Sequence, residues 1–379
     1  MAYIIFILFV YNFHVLKRSE NISFVFLLFS LVLFSGTRLV TGWDWWEYEL
    51  FFDSLPTFNE AFLTYNNDFF NHFFEPGFKF YTLILKSIFN NFEIFLFFSS
   101  LISISLVGIS IKRIAPYPFE SLLLYVVIIY LYVEFSVVRQ SISIGFFIFS
   151  LKYIKEQCFY KYFMCCIVSG LFHVSGFLLL FLYFILNKNF NKKFYLTFIL
   201  LGFFAFNLNF ISLVLSPLIP HLGPISWKLL EYIQSNAREM SLGVVETFVI
   251  TIVFVLLNSK IKLMVNGYGK IFLNMQLVSF FLVFYCHEVF IMADRFKFYF
   301  LFSIVFIFPE LLRMCKLQNK RIFVSLSLVV LSIHFSLKPF KTESNQIVYF
   351  PYHSFLLNSD DEISQLKINK MRAINDIIE

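Results

Sequence analysis

The stretch FESLLLYVVIIYLYVEFSVVRQSISIGFFIFSL, Phe119 to Leu151, is 33 residues long and almost wholly apolar. As one helix it would run about 50 Å, whereas a bilayer core is crossed by about 20 apolar residues. It is too long for one crossing, and it is expected to break near Phe135 to Arg139, with Arg139 at the outer side. Runs of this kind recur along the chain. Hydrophobic residues are 59% of 379 and charged residues 14%, against roughly a quarter charged in soluble domains. A soluble core of this size does not hide such runs, so the chain reads as all-α, a polytopic transmembrane helix bundle.

Twelve apolar segments can be marked off. Tyr3 to Leu16 resembles a signal h-region, but Lys17 and Arg18 follow it in place of a small-residue cleavage site, and a retained helix is expected. The 58 phenylalanines read chiefly as lipid-facing filler, with aromatic sugar platforms as the alternative. Cys158, Cys165, Cys166, Cys286 and Cys315 show no C-x-x-C spacing, so neither a metal site nor a disulfide framework is implied. The net charge of +6 resides in short loops and does not point to nucleic acid.

Lysine and arginine in short loops mark the cytoplasmic side. The clusters are Lys17-Arg18, Lys112-Arg113, Lys152 to Lys161, Lys188 to Lys193, Lys260 to Lys270 and Arg313 to Arg321. Loop 36–76 is acidic apart from Arg38 and reads as external. Parity then makes Phe78–Asn90 a re-entrant or interfacial helix, and Tyr162–Leu186 a re-entrant hairpin with its tip at His173 to Gly176, backbone of a kind tolerated only when buried or lining a wet cavity. The remaining spans are expected at 194–215, 244–258, 271–289, 296–312 and 321–337. About ten spans and two re-entrant segments (10–12 helices) thus form one transmembrane domain, 1–337, with external loops 36–76 and 216–243 and an external tail, 338–379.

An ionisable group inside a span usually faces a cavity or a partner. Arg139 is either a structural partner of Glu134, a snorkelling helix-end residue, or an anion-capturing fork; Gln140 beside it can donate to a sugar or a phosphate. His173 is a packing residue, a proton acceptor or a donor to a diphosphate. The other histidines lack ligand spacing with it, so no zinc site is expected. In Arg38-Leu-Val-Thr-Gly42-Trp-Asp44-Trp-Trp-Glu47-Tyr48, three of the four tryptophans fall within four positions. They form either an interfacial belt or a sugar site, with indole faces, Trp43 among them, on pyranose C–H surfaces and Asp44 on hydroxyls. Glu75-Pro76-Gly77 re-enters the membrane with a carboxylate at its head, and Pro76 suits a helix start. Asp294-Arg295 is expected to open a helix; a cap explains Asp294 there, while a cation at that end needs another reason, such as phosphate binding by Arg295.

Taken together, Arg38, Gly42-x-Asp44 with Tyr48, Glu75-Pro76-Gly77, Arg139-Gln140, Phe172-His173-x-Ser175, Arg295 with Tyr299-Phe300, and Pro351-Tyr352 resemble the EpsG-like family of exopolysaccharide and O-antigen polymerases, the Wzy type. Order and rough spacing agree from about residue 30 to 355. Gly176 stands where Ala is expected, the paired tryptophans after Asp44 replace a commoner tyrosine, and Phe190 to Met292 matches in hydropathy alone.

The resemblance implies a metal-independent glycosyltransferase of the cytoplasmic (inner) membrane, multi-pass, whose site faces the periplasm or exterior. It would take undecaprenyl-diphosphate-linked glycans as donor and acceptor, with no cofactor, beside a flippase and a chain-length regulator. A lipid diphosphate leaving group needs fixed cations, for which Arg139, Arg295 and then Arg38 are candidates, with Trp43, Tyr48 and Gln140 also on the substrate side. The acceptor hydroxyl needs a base, for which Asp44, Glu75 and His173 compete. The alternative class is a lipid-linked oligosaccharide flippase, which should show two related halves; no internal repeat is visible. A membrane acyltransferase would place its histidine otherwise than His14 is placed.

Overall fold

The computed structural model describes residues 20–58, 60, 69, 72–208, 240–314 and 342–378. The expected first helix at 3–16, the span at 321–337 and nearly all of loop 216–243 lie outside the described residues. The chain forms two compact units, one of residues 1–180 and 312–379 and the other of residues 181–311.

The first unit begins with helices α1 (Glu20–Gly36), α2 (Trp45–Ser54), α3 (Pro76–Phe89) and α4 (Phe92–Ile114). The Asn91 side chain accepts from the Ile94 N–H at 2.8 Å, satisfying one of the donors that every helix start leaves open. α3 has 14 residues, about 21 Å, too short to cross a bilayer core, in keeping with the re-entrant or interfacial helix expected there.

The 33-residue run does break. Its first part is α5 (Pro118–Ser136), which contains a π-helical turn at Val126–Tyr130. Val137 leaves helical geometry at φ −120°, ψ 64°, and α6 (Val138–Lys155) follows. The chain that meets this break explains its position. Gly42, at φ +110°, lies so close that a Cβ there would be 1.8 Å from the Phe135 carbonyl oxygen. The Trp43 N–H donates to Ser136 Oγ at 3.2 Å, and Ser136 shares a 2.5 Å hydrogen bond with the Tyr349 hydroxyl.

The hairpin expected over 162–186 is present as α7 (Phe159–Phe172) and α8 (Ser175–Leu186), separated by an extended His173. α8 folds back on α7: the Tyr162 hydroxyl donates to the Leu179 carbonyl at 2.6 Å, and a Cβ on Gly176 would meet the Gly170 nitrogen at 2.4 Å. The alanine expected there would not fit this approach.

The second unit holds α9 (Lys192–Asn207), α10 (Leu242–Leu256), α11 (Gly269–Phe284) and α12 (Phe290–Lys297), with α13 (Phe302–Met314) closing it. Asn274 ties α11 to the end of α8 and to α9, donating to the Leu186 carbonyl at 2.9 Å and accepting from the Tyr195 hydroxyl at 2.7 Å.

Among the described residues two helices, α4 and α5, are long and apolar enough to cross a membrane, or three if α11 and the 287–297 segment, bent by 79°, form one broken span. The all-α membrane architecture stands, and among the described residues further apolar sequence forms helices of 10–17 residues such as α7, α8 and α10. The spans expected at 271–289 and 296–312 are redrawn. Helix α11 stops at Phe284, and α12 intervenes before α13.

The described part of the tail packs on the first loop. α14 (Glu343–Tyr349) leads to a short strand, His353–Ser354, which pairs antiparallel with Arg38–Leu39. Tyr352 stacks on Phe34 with ring centroids 4.5 Å apart. From α15 (Asp360–Ile378), the Lys370 ammonium donates to the Val40 carbonyl at 2.7 Å, and Lys367 pairs with Glu49.

Candidate functional site

Glu75 sits at the cap position of α3 in extended geometry, φ −65° and ψ 147°, with Pro76 next and no side-chain bond to its own helix. Its carboxylate therefore reaches outward. Oε2 accepts from Arg139 Nη1 at 2.7 Å, and Oε1 accepts from the Val174 N–H at 2.9 Å. Three separate stretches meet at one carboxylate: the start of α3, the first turn of α6 and the break between α7 and α8. Gly77 makes this possible, since a Cβ there would lie 2.8 Å from the Leu171 carbonyl oxygen.

Arg139 is 9% exposed. Its guanidinium lies 4.0 Å from the centroid of the Phe74 ring, with Phe73 at 5.8 Å and Tyr48 at 6.0 Å. Such rings attract a cation through their quadrupole. Its Nε is buried with no hydrogen-bond partner. Burial raises the Tyr48 hydroxyl above its ordinary range, so it stays protonated. Arg139 does not pair with Glu134, which instead accepts from Ser103 Oγ at 2.6 Å and from the Tyr125 hydroxyl at 2.9 Å.

His173, half-buried at the helix break, shares a 2.6 Å hydrogen bond between Nδ1 and Ser175 Oγ. Glu75, Arg139, Tyr48 and the His173 turn are thus drawn to one place. Gln140 is buried in the same turn of α6 as Arg139. Asp44 is half-buried at the cap of α2 and makes no cap bond to the helix.

Other candidates are placed differently. Arg38 turns inward: Nη1 donates to the Ser35 carbonyl at 2.6 Å and Nε to the Thr41 carbonyl at 3.2 Å, with Phe135 beneath it at 5.5 Å. The tryptophans separate. Trp45 is buried in the core, Trp46 is half-buried, and Trp43 is 40% exposed, its indole N–H donating to Asn345 at 2.8 Å. Asp294 and Arg295 do not open a helix as expected. They lie in the second half of α12, where the last turn favours a cation, so the argument from a misplaced charge at Arg295 falls away.

Sequence reasoning missed the Val174 N–H and the Phe73-Phe74 pair. The pair stands directly before Glu75 and was legible as an aromatic wall. A backbone donor carries no residue signature. Among the described residues no group of three or more His, Cys, Asp and Glu side chains is placed to hold a metal ion.

A family model described as the EpsG family matches residues 21–354. Neither the curated proteins nor the solved structures contain a match to the chain.

Proposed function

This chain belongs to the EpsG family, and we propose that it joins oligosaccharide repeat units carried on undecaprenyl diphosphate at the outer face of a cytoplasmic membrane. Membership places it among membrane proteins of polysaccharide-polymerase type; the lipid carrier, the membrane and the orientation are the proposal. The observation that carries it is the meeting of Glu75, Arg139 and the His173 turn in the first unit.

In the step proposed, a sugar hydroxyl of the acceptor attacks the anomeric carbon of the donor glycan. The hydroxyl's proton passes to a base, and the bond from the anomeric carbon to the diphosphate oxygen breaks. The lipid diphosphate leaves with that electron pair. Arg139 is the cation for the charge that develops there, a donor already in place before the reaction. Glu75 is the leading base, because it is the carboxylate beside that cation; His173 and Asp44 follow. Gln140, Tyr48 and Trp43 are the proposed sugar and phosphate contacts. Arg295, exposed in the second unit, is a separate candidate for phosphate binding. Arg38 is given a structural role.

The test is a glycan profile in cells that build the polymer on a lipid core. Glu75→Gln at normal protein abundance should yield core carrying one repeat unit and no ladder. A bare core would mean that no repeat reaches the outer face, and would favour a flippase. For orientation, single cysteines at Asp53 and Glu343 in a cysteine-free background should react with an impermeant thiol reagent from outside, and one at Glu156 should not. The reverse pattern would move the chemistry to the cytoplasm.

A further inference from the structure

We propose that the cradle holding the Glu75 carboxylate is an anion site in its own right, filled by Glu75 at rest and by a phosphate group of the substrate during turnover. Substrate arrival is then what sets the carboxylate free. This rests on the reading that Arg139 meets the diphosphate.

The geometry supplies four reasons. Both carboxylate oxygens are engaged, one by Arg139 Nη1 at 2.7 Å and one by the Val174 N–H at 2.9 Å. A carboxylate engaged at both oxygens has to leave these donors before it can turn to a substrate hydroxyl. Second, the cradle is under-filled. Arg139 Nε is buried with no hydrogen-bond partner; it forks with Nη2 and not with Nη1, so a diphosphate, larger than a carboxylate, has a second edge of the guanidinium to fill. Third, the guanidinium does not depend on Glu75 for its position, because Phe74 at 4.0 Å and Phe73 at 5.8 Å hold it from the ring side. Fourth, Glu75 can leave cheaply. Its side chain makes no bond to α3 and Pro76 starts that helix, so rotation of the side chain leaves the helix intact. Val174, which carries the other donor, is 62% exposed, so the cradle is open on that side.

Removal of the resident anion must therefore improve binding of an added one, just as any ligand binds better when its competent state is more populated. The probe is inorganic pyrophosphate, titrated calorimetrically into the detergent-solubilised full chain, with thermal unfolding as the check of folding. Glu75→Gln should bind pyrophosphate roughly tenfold more tightly than wild type. In that background Val174→Pro should weaken binding roughly tenfold, the loss of one hydrogen bond to a charged group. Proline suits this position, since Val174 has φ −51° and His173 before it is extended; only the N–H is removed. If Glu75→Gln is too unstable to purify, Glu75→Asp carries the test, because the shorter arm does not reach both donors and binding must again exceed wild type. Equal or weaker binding by these variants, with Arg139→Gln losing pyrophosphate, overturns the exchange and leaves Arg139 as the phosphate cation. Wild-type binding by Arg139→Gln overturns both.

Discussion

The loop around Arg38 and the cradle around Arg139 each bury a guanidinium in the first unit, but by opposite means. Arg38 is held by neighbouring backbone carbonyls, Ser35 at the end of α1 and Thr41 in the loop. Those acceptors belong to the chain path, and no ligand can replace them without unfolding the turn. Arg139 is held by a side-chain carboxylate from another helix, an acceptor that can swing away. The tail reinforces the contrast. Strand pairing at Arg38–Leu39 and the Lys370 contact lock the first region, whereas the Val174 donor of the second is exposed. The lesson is that the identity of an arginine's acceptor separates a structural cation from an exchangeable one more surely than its burial does.

That contrast is breakable. Arg38→Ala strips two buried carbonyls of their donors, and about 3 kcal/mol or more of stability should go with them. Membrane abundance and the unfolding temperature in detergent should both fall. A stable, abundant Arg38→Ala protein that makes no polymer would place Arg38 with the chemistry instead.

Arg139→Lys should do the converse. It keeps the charge and loses the fork, so chain growth should drop about 100-fold, as when one preorganised donor is lost from a developing anion, while abundance stays normal. Wild-type polymer lengths would show that any cation suffices there.

Gly77→Ala probes the joint between the two helices that build the cradle. The added Cβ meets the Leu171 Cβ at 2.7 Å and its carbonyl oxygen at 2.8 Å, and overpacking of this kind costs about 2 kcal/mol. Polymer yield should fall further than abundance, because Glu75 is carried off the Val174 N–H. Equal losses would mean that Gly77 serves stability alone.

The smallest effect sharpens the picture of the tail. Burial pushes the Lys370 ammonium down to about 8. The folded state therefore binds its proton less tightly than the unfolded chain, and stability should rise as the pH climbs from about 8 toward the ordinary lysine value of about 10.4. Unfolding temperatures measured across that window should increase for wild type and lose part of the slope in Lys370→Met. An unchanged slope would mean that Lys370 titrates as a solvated lysine.

Several features were legible in advance because their cause is local. The break in Phe119–Leu151 follows from length, and it falls at Val137, inside the expected interval. The reversal at His173 follows from an apolar run too short for two crossings. Glu75-Pro76-Gly77 announced a helix start. What failed did so where the cause is distant. Trp45 and Trp43 read alike in a row of aromatics, yet one is core and the other is exposed, because packing against Phe92 claims Trp45. A helix start is expected at Asp294-Arg295, but after the 79° bend that follows Phe284 both residues lie inside α12.

By itself, then, the sequence determined the membrane class, the helical architecture, the two breaks and the set of residues from which a site is drawn. Each of these depends on hydropathy and on backbone preference within a few residues. Only the tertiary structure decided which of those residues meet. Glu75 and Arg139 are 64 positions apart and Glu75 and Val174 are 99 apart, and pairing across such distances depends on which helix faces pack together. The close approaches at Gly42, Gly77 and Gly176 settle that packing, and with it the difference between an arginine that closes a loop and one that holds an exchangeable anion.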